Sequence, residues 1–135
     1  MKQIDADSVK VIIDTNALMT AEQFGVDIFG ELLRLGYSSW LVPAAVLGEL
    51  RSLSRKADKG RDKTAAKVAL GLAEGCTVIG KDDSDADSAI EELALETGAA
   101  VFTNDKALKK RLFSKGITVI YLRQGQYLET TRKEY

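Results

Sequence analysis

Histidine is absent from this 135-residue chain, and cysteine and proline occur once each. Without imidazole the chain cannot use a histidine general base, a Ser-His-Asp triad or a histidine metal ligand. The single cysteine, Cys76, cannot form an internal disulfide or a thiolate zinc site, and we expect it to pack as a small apolar residue. Any chemistry must therefore come from carboxylates, hydroxyls, amides, lysines or arginines.

Long apolar runs are also missing. None reaches the roughly 18 residues that a membrane span needs, and the opening residues, MKQIDADSVK, place acids ahead of any apolar segment. Hydrophobic residues make up 45% of the chain and charged residues 29%, a balance typical of globular proteins. We therefore expect a cytoplasmic protein without a membrane partner, folded as one domain over residues 1–135 with its core at about 9–127.

Apolar runs that suit buried parallel strands alternate with helical patterns. The runs occupy residues 9–13, 39–42, 76–79, 99–103 and 117–122. Helical patterns cover about 21–36, a stretch from about Pro43, about 61–74, a segment between SDAD and Gly98, and a segment from Asp105 to near Gly116. This alternation predicts a three-layer α/β/α domain with a central parallel sheet flanked by helices. The polar residues at about 124–135 predict a loose tail or a short terminal helix.

Four carboxylates are placed where the strand ends of this sheet would meet. Ligands of an open parallel sheet bind beyond the carboxyl ends of its strands, and Asp14 and Asp105 each follow an apolar run. Asp87 lies in the first turn of the fourth predicted helix, and Glu49 lies on the rim of the buried stripe of the second. Two or more anions at one edge would raise each other's pKa values unless a cation joined them. Hard oxygen ligands without histidine or thiolate favour Mg²⁺ or Mn²⁺.

Each of these acids also has an ordinary structural explanation. Asp14 or Thr15 could cap a short turn, and Asp105 or Asn104 could cap the fifth helix. Asp87 with Ser84 resembles a capping box, and Glu49 could be a solvated side chain. Taken singly, the structural role is favoured for Glu49 and Asp87, and the two interpretations are balanced for Asp14 and Asp105. Together, at one sheet edge, the four favour a metal site.

At these residues the sequence resembles the PIN-domain nucleases. The stretches VIIDTNALM, VPAAVLGELRSL, DADSAIEELALETGAAVFTNDKALKKRL and KGITVIYLRQGQY are similar to the family's successive motifs, in the family's order, from about Val9 to Tyr127. The likeness is to the archaeal and eukaryotic rRNA-processing branch, because TNDKALKKRLFSKGITVIYL is similar to that branch's basic helix and following strand. The sequence has no zinc module such as some ribosome-assembly relatives carry.

The resemblance implies a metal-dependent endoribonuclease that uses Mg²⁺ or Mn²⁺. The family's acidic quartet, which would supply the catalytic and metal-binding groups, falls on Asp14, Glu49, Asp87 and Asp105. Two polar positions that support the quartet fall on Asn16 and Thr103. The partners we expect are RNA, with pre-rRNA as the candidate substrate, and either a second copy of the chain or ribosome-assembly proteins.

The acidic run DDSDAD offers several choices for the third carboxylate. We select Asp87 because it stands three residues before Ile90, which is the family's spacing, and because it already lies inside the predicted helix. The remaining acids of the run are predicted to be solvated or to cap the helix; they are Asp82, Asp83 and Asp85.

Basic segments flank this acidic centre. Residues 82–96 hold seven acids and no base, whereas 51–67 hold seven bases against two acids and 106–135 hold eight against two. Such an asymmetry favours an anionic polymer as partner, although surface lysines are often merely solvated. The predicted RNA-binding residues follow Asp105 directly and are Lys106, Lys109, Lys110 and Arg111. Trp40 and Tyr121 lie in predicted strands and are expected in the core rather than against bases.

Three other functions remain open from the sequence. A toxin of a toxin–antitoxin pair would share the fold and the ribonuclease site. A non-catalytic RNA-binding assembly factor would keep the scaffold, although the presence of all four acids disfavours it. A phosphorelay receiver domain is disfavoured because its paired acids and its strand-end lysine have no clear counterpart here.

Overall fold

The computed structural model describes residues 9–56 and 60–131, and within them it forms one six-stranded sheet flanked by helices. The strands are β1 (Lys10–Ile13), β2 (Ser39–Pro43), β3 (Thr77–Ile79), β4 (Ala100–Phe102), β5 (Val119–Arg123) and β6 (Tyr127–Thr131). The helices are α1 (Thr15–Phe24), α2 (Ile28–Arg34), α3 (Ala44–Lys56), α4 (Gly60–Ala73), α5 (Ala86–Thr97) and α6 (Lys106–Ser114). No helix in these ranges is long and apolar enough to cross a membrane.

The sheet order is β3-β2-β1-β4-β5-β6, with every neighbouring pair parallel except β5 and β6. The central strands β1 and β4 are almost entirely buried, which explains their unbroken apolar sequences. Helices α1, α3 and α4 pack against one another, α5 contacts β2 and β4, and α6 contacts β5. The predicted α/β fold with a mostly parallel central sheet is therefore confirmed, and Cys76 packs, half-buried, against its core.

The prediction of a single helix over 21–36 is wrong. Helix α1 starts earlier, at Thr15, and ends at Phe24, because Gly25 follows it with a left-handed backbone (φ 66°) that terminates the helix. Asp27 then caps the separate helix α2 by accepting a hydrogen bond from the amide of Gly30. The next helix was predicted from about Pro43 but starts one residue later, at Ala44, because Pro43 is the last residue of β2.

The predicted tail at 124–135 is wrong over 127–131, which form the antiparallel edge strand β6. A tight turn reverses the chain between β5 and β6, and both Gln124 (φ 56°) and Gly125 (φ 67°) adopt left-handed conformations in it. The sheet is consequently mixed rather than wholly parallel. Residues 132–135 lie outside the described ranges.

Two side chains of α2 clamp the middle of β6. Glu31 Oε1 accepts a hydrogen bond from the backbone amide of Leu128 at 2.9 Å, and Arg34 Nη2 donates to the carbonyl of Leu128 at 2.8 Å. The two side chains also form a salt bridge at 2.9 Å. The hydrogen bonds that Glu31 accepts from Arg34 and from the amide of Leu128 both lower its pKa, and the bond from Arg34 contributes most. The clamp satisfies backbone groups that an edge strand would otherwise leave open.

Replacing Glu31 with alanine should lower the free energy of unfolding by about 1–3 kcal/mol, because it removes a charge-assisted hydrogen bond and leaves a strand amide without its partner. Chemical denaturation measures this, and backbone amide exchange at Leu128 should accelerate. Glu22→Ala is the matched control, since Glu22 is exposed on α1. Equal stabilities for the two variants would show that the clamp contributes nothing.

Candidate active site

The register of β1 and β4 brings Asp14 and Thr103 into contact. Ile13 lies opposite Phe102 in this parallel pair, so the next residue of each strand meets its neighbour at the carboxyl edge. Thr103 Oγ1 donates to Asp14 Oδ2 at 2.7 Å, and the backbone amide of Thr15 donates to Asp14 Oδ1 at 2.7 Å. Asp14 therefore caps α1 and also presents a carboxylate that is only 4% exposed.

Burial is the main influence on the Asp14 carboxyl group and raises its pKa to about 6. The hydrogen bonds from Thr103 and Thr15 oppose this change, whereas the negative charges of Asp87 and Glu49 add to it. The expected repulsion between acids is thus present, but it contributes less than the removal of Asp14 from water.

Glu49 reaches this site from α3 although much of the residue is exposed. Its Oε1 accepts a short hydrogen bond from Thr15 Oγ1, so the carboxylate is held against the start of α1 rather than free in solvent. From the sequence, Thr15 was predicted only as a possible cap. The hydroxyl directly after Asp14 was the available signal for this second role.

Asp105 caps α6 and shares a hydroxyl with Asp14. Its Oδ1 accepts from the amide of Leu108 at 2.9 Å, which is the capping bond. Its own backbone amide donates to Thr103 Oγ1 at 3.1 Å. Because the same hydroxyl donates to Asp14, Thr103 joins the ends of β1 and α6. Both structural alternatives, capping by Asp14 and by Asp105, are therefore true alongside their shared position at the edge.

Asp87 lies in the first turn of α5 and is half-buried. Its pKa is raised, first by burial and then by the negative charge of Asp105, with smaller contributions from Asp85 and Glu49. The positive charge of Arg111 acts in the opposite direction. The charges of Asp87 and Glu49 thus act on Asp14, and those of Asp105 and Glu49 act on Asp87, across the carboxyl edge.

The helix cap in the DDSDAD run is Asp85 and not Ser84. Asp85 Oδ2 accepts from the amide of Ser88 at 3.0 Å, so the predicted capping box is wrong. Asp83 is exposed, as expected. Asp82 is also exposed, but its carboxylate lies against Gly48 of α3: a Cβ at Gly48 would come within 2.3 Å of Asp82 Oδ2. The loop before α5 therefore lies over the helix that carries Glu49.

Comparison with known proteins identifies the family. A model of the PIN like domain matches residues 11–125. The chain belongs to this family. Ribonuclease VapC9 of Archaeoglobus fulgidus is 36% identical over 115 residues, which cover 85% of this chain and 84% of that protein. Ribonuclease VapC4 of Methanocaldococcus jannaschii is 30% identical over 124 residues, which cover 89% of this chain and 95% of that protein.

Two solved structures share the fold. The PIN domain endonuclease Utp24 matches with a TM-score of 0.75 and 25% identity over 92% of each chain. A domain of a functionally unknown protein from Methanocaldococcus jannaschii matches with a TM-score of 0.59 over 95% of this chain and 96% of that chain, and at 18% identity it shows the fold alone. The predicted resemblance to PIN-domain nucleases is confirmed.

In this PIN-like domain the two predicted supporting residues act differently. Thr103 touches Asp14 directly, whereas Asn16 holds the loop after β4: its Oδ1 accepts from the amide of Asn104 at 3.1 Å. Asn104 in turn accepts from the amide of Leu122 at 2.8 Å and donates to Thr20 Oγ1 at 3.0 Å. From the sequence, Asn104 was predicted only as a possible cap, and no local sequence pattern indicated this network.

The predicted RNA-binding residues of the PIN-like domain divide into two groups. Lys106 and Lys110 are exposed, and Lys109 Nζ lies 4.1 Å from the centre of the Tyr121 ring. Arg111 instead pairs with Glu91 of α5, with Nε 2.9 Å from Oε1. The lysines are therefore available to an anionic ligand, while Arg111 joins α6 to α5.

The two aromatic residues expected in the core are only half-buried. Trp40 packs against the core, stacks on Phe29 with ring centres 4.4 Å apart, and donates from Nε1 to the carbonyl of Tyr37. Tyr121 faces the lysines of α6, so the core prediction holds for Trp40 better than for Tyr121.

The acids fit a hard divalent cation by their chemistry. They supply carboxylate oxygens, which Mg²⁺ and Mn²⁺ prefer. The pKa values of two of these carboxyl groups, Asp14 and Asp87, are raised. Within residues 9–56 and 60–131, however, no three acidic or cysteine side chains are close enough to form a ready-made metal cage. Three of the acids instead accept hydrogen bonds from the protein itself: Asp14 and Asp105 accept from backbone amides at helix starts, and Glu49 accepts from the Thr15 hydroxyl.

Proposed function

We propose that this PIN-like domain is a metal-dependent endoribonuclease that hydrolyses RNA phosphodiester bonds. The observation that carries the proposal is the gathering of Asp14, Glu49, Asp87 and Asp105 at one sheet edge, where Asp87 and Glu49 raise the pKa of Asp14, and Asp105 and Glu49 raise the pKa of Asp87. The ribonucleases VapC9 and VapC4 and the endonuclease Utp24 support the same class of reaction. RNA is the proposed substrate, and the cytoplasm is the proposed location.

Mg²⁺ or Mn²⁺ is the proposed cofactor. Asp14, Asp87 and Asp105 would hold the ion, and Glu49 would hold a second ion or orient the attacking water. A bound ion would lower the pKa of that water and stabilise charge on the leaving oxygen. Mg²⁺ usually binds through one or two carboxylates and keeps several waters. Acids that share an edge without closing into a cage are compatible with that requirement.

The chain's own hydroxyls and amides would orient these acids. The Thr103 hydroxyl fixes one oxygen of Asp14, and the Thr15 hydroxyl fixes one oxygen of Glu49, so each carboxylate keeps a defined direction. Asn16 anchors the loop that carries Asp105. Outer partners of this kind hold metal ligands in place, and their loss commonly lowers activity or metal affinity by about 10–100-fold.

Processing of pre-rRNA is the RNA role that we propose, because α6 and β5 resemble the rRNA-processing branch in sequence. By the same resemblance the products would carry a 5′-phosphate and a 3′-hydroxyl. Ribosome-assembly proteins or a second copy of the chain are the corresponding proposed partners.

The purified protein with Mn²⁺ should cleave a structured RNA that contains single-stranded loops, and EDTA should stop the cleavage. Millimolar Mn²⁺ should also raise the melting temperature by several degrees, because an ion at 100 times its Kd stabilises the folded state by about 2.7 kcal/mol. Calorimetry in Mn²⁺ and in EDTA measures the second effect independently of turnover. Identical melting curves together with intact RNA would reject the metal-dependent nuclease and favour the non-catalytic binding factor.

A further inference from the structure

A groove beside the carboxyl edge has a lining that the acidic site does not explain. A cavity of about 310 Å³ lies between α6, the β5–β6 turn and the end of α1. Its lining includes Phe24, Asn104, Lys106, Lys109, Tyr121 and Gly125. A second depression of about 380 Å³ shares Lys106 and Lys109 with the first and adds Lys110 and Phe113. We call the two together the α6 groove.

The α6 groove starts at the proposed active site. Asn104 lines it and stands between Thr103 and Asp105, whereas Lys106 is the first residue of the helix that Asp105 caps. A ligand lying in the groove would therefore pass directly from the acidic edge along α6.

The lining of the groove combines cations with exposed rings. Phe24 is 55% exposed at one end and Phe113 is 36% exposed at the other, with Lys106 and Lys109 between them. Lys106, Lys109, Lys110 and Phe113 follow the i, i+3, i+4, i+7 spacing that places them on one face of α6. None of the described residues that line either depression is acidic.

Tyr121 holds Lys109 in place, and the turn at Gly125 supports Phe24. The Tyr121 ring lies beneath Lys109 Nζ at 4.1 Å, which keeps that ammonium group in the groove through a cation–π contact. Phe24 packs on the β5–β6 turn at Gly125, where an added Cβ would lie 3.2 Å from Phe24 Cδ1. The ring is thus supported on one side and open on the other.

We propose that the α6 groove binds single-stranded RNA next to the scissile phosphate, with one base stacked on Phe24, another on Phe113, and the intervening phosphates on Lys106 and Lys109. This inference rests on the proposed function for its choice of RNA. Unpaired bases stack on exposed aromatic rings while cations follow the backbone. In a duplex the base faces are already stacked, so the rings would have nothing to bind.

Fluorescence anisotropy with a labelled 12-nucleotide RNA of mixed sequence, in EDTA to prevent hydrolysis, tests the groove. The single strand should bind more tightly than the same RNA annealed to its complement. Phe24→Ala should weaken single-strand binding at least about fivefold, which is the lower end of the effect of losing one stacked base, without altering the salt slope. Phe24→Tyr should restore binding. Lys106→Ala should instead reduce the salt slope by about 0.7.

Leu33→Ala is the matched control, since Leu33 is 53% exposed on α2 and lies outside the groove. Unchanged binding by Phe24→Ala, or equal affinity for duplex and single strand, would overturn the proposal. Sedimentation that shows a wild-type dimer but a Phe24→Ala monomer, with RNA affinity unchanged, would assign the groove to a second copy of the chain and also overturn it.

Cleavage assays separate this inference from the proposed function. If the wild type cleaves RNA in Mn²⁺ and Phe24→Ala has the same kcat/KM, RNA binding by the α6 groove is rejected and the proposed nuclease activity stands. Single-strand binding that depends on Phe24, without cleavage under any metal condition, would support the groove and reject the nuclease.

Discussion

Replacing Asp14 with asparagine should lower the rate of RNA cleavage by at least about a thousandfold. Loss of a single group that stabilises transition-state charge already costs about 10²–10³-fold, and Asp14 would supply a ligand to the ion that performs this role. Asp87→Asn should show a loss of the same order. Single-turnover rates at saturating Mn²⁺ measure both, and circular dichroism should confirm that each variant is folded.

Asp83→Asn provides the comparison for this experiment. Asp83 belongs to the same acidic run but is exposed, so its substitution should leave the cleavage rate within about twofold of wild type. Normal activity in Asp87→Asn combined with loss in Asp83→Asn would show that the wrong acid of DDSDAD had been selected. An undiminished rate in Asp14→Asn would trace the cleavage to a contaminating nuclease.

Metal-free wild type should lose up to about 3 kcal/mol of stability from the Asp14 group alone as the pH rises from about 4 to 6. The folded pKa of about 6 exceeds the reference value of 3.8, so the folded state binds more protons than the unfolded state between these values. Stability must then fall with rising pH in this window and level off above it, at about 1.36 kcal/mol per unit of pKa difference. Urea denaturation in EDTA at pH 4, 5, 6 and 7.5 measures the trend.

Asp14→Asn should lack this component and should be more stable than wild type at pH 7.5, because it no longer carries a buried charge. Acids that are not coupled to Asp14 contribute to both proteins equally, so the difference between the two curves reports Asp14 together with its coupling to Asp87 and Glu49. A difference that stays constant from pH 4 to 7.5 would mean that Asp14 ionises as an ordinary aspartate. Cleavage should show the opposite trend to stability and rise with pH, since only the ionised carboxylate binds a cation.

The sequence predicted the strands of the parallel sheet well, because buried strands read as unbroken apolar runs. It failed where local signals competed. The apolar spacing continues through Gly25, so α1 and α2 looked like one helix, although Gly25 and Asp27 carry the stop and start signals. Strand β6 was missed because YLETT is half-buried and polar, and because its turn uses Gln124, a residue that rarely adopts positive φ.

The shared edge of Asp14 and Asp105 was predictable because parallel topology brings strand ends together, whereas Glu49 and Asp87 reach that edge from helices. The details required three-dimensional contacts. Neither the bond from Thr15 to Glu49 nor the shared role of Thr103 follows from spacing, because each joins residues far apart in sequence. The partition of α6 into available lysines and a paired Arg111 depends on Glu91 of another helix. Sequence pattern indicated the charge of α6 but not which of its cations were already neutralised.

The clamp by Glu31 and Arg34 also limits how this protein can polymerise. With the middle of β6 occupied by α2, a further strand cannot pair at Leu128, and in the part of the chain that the structure describes β3 is the sheet's other edge. Two copies joined edge to edge through β3 would leave the clamped β6 at each end of the joined sheet. The clamp would then oppose the addition of a third copy by strand pairing, so that such an assembly would favour a closed pair over a fibre.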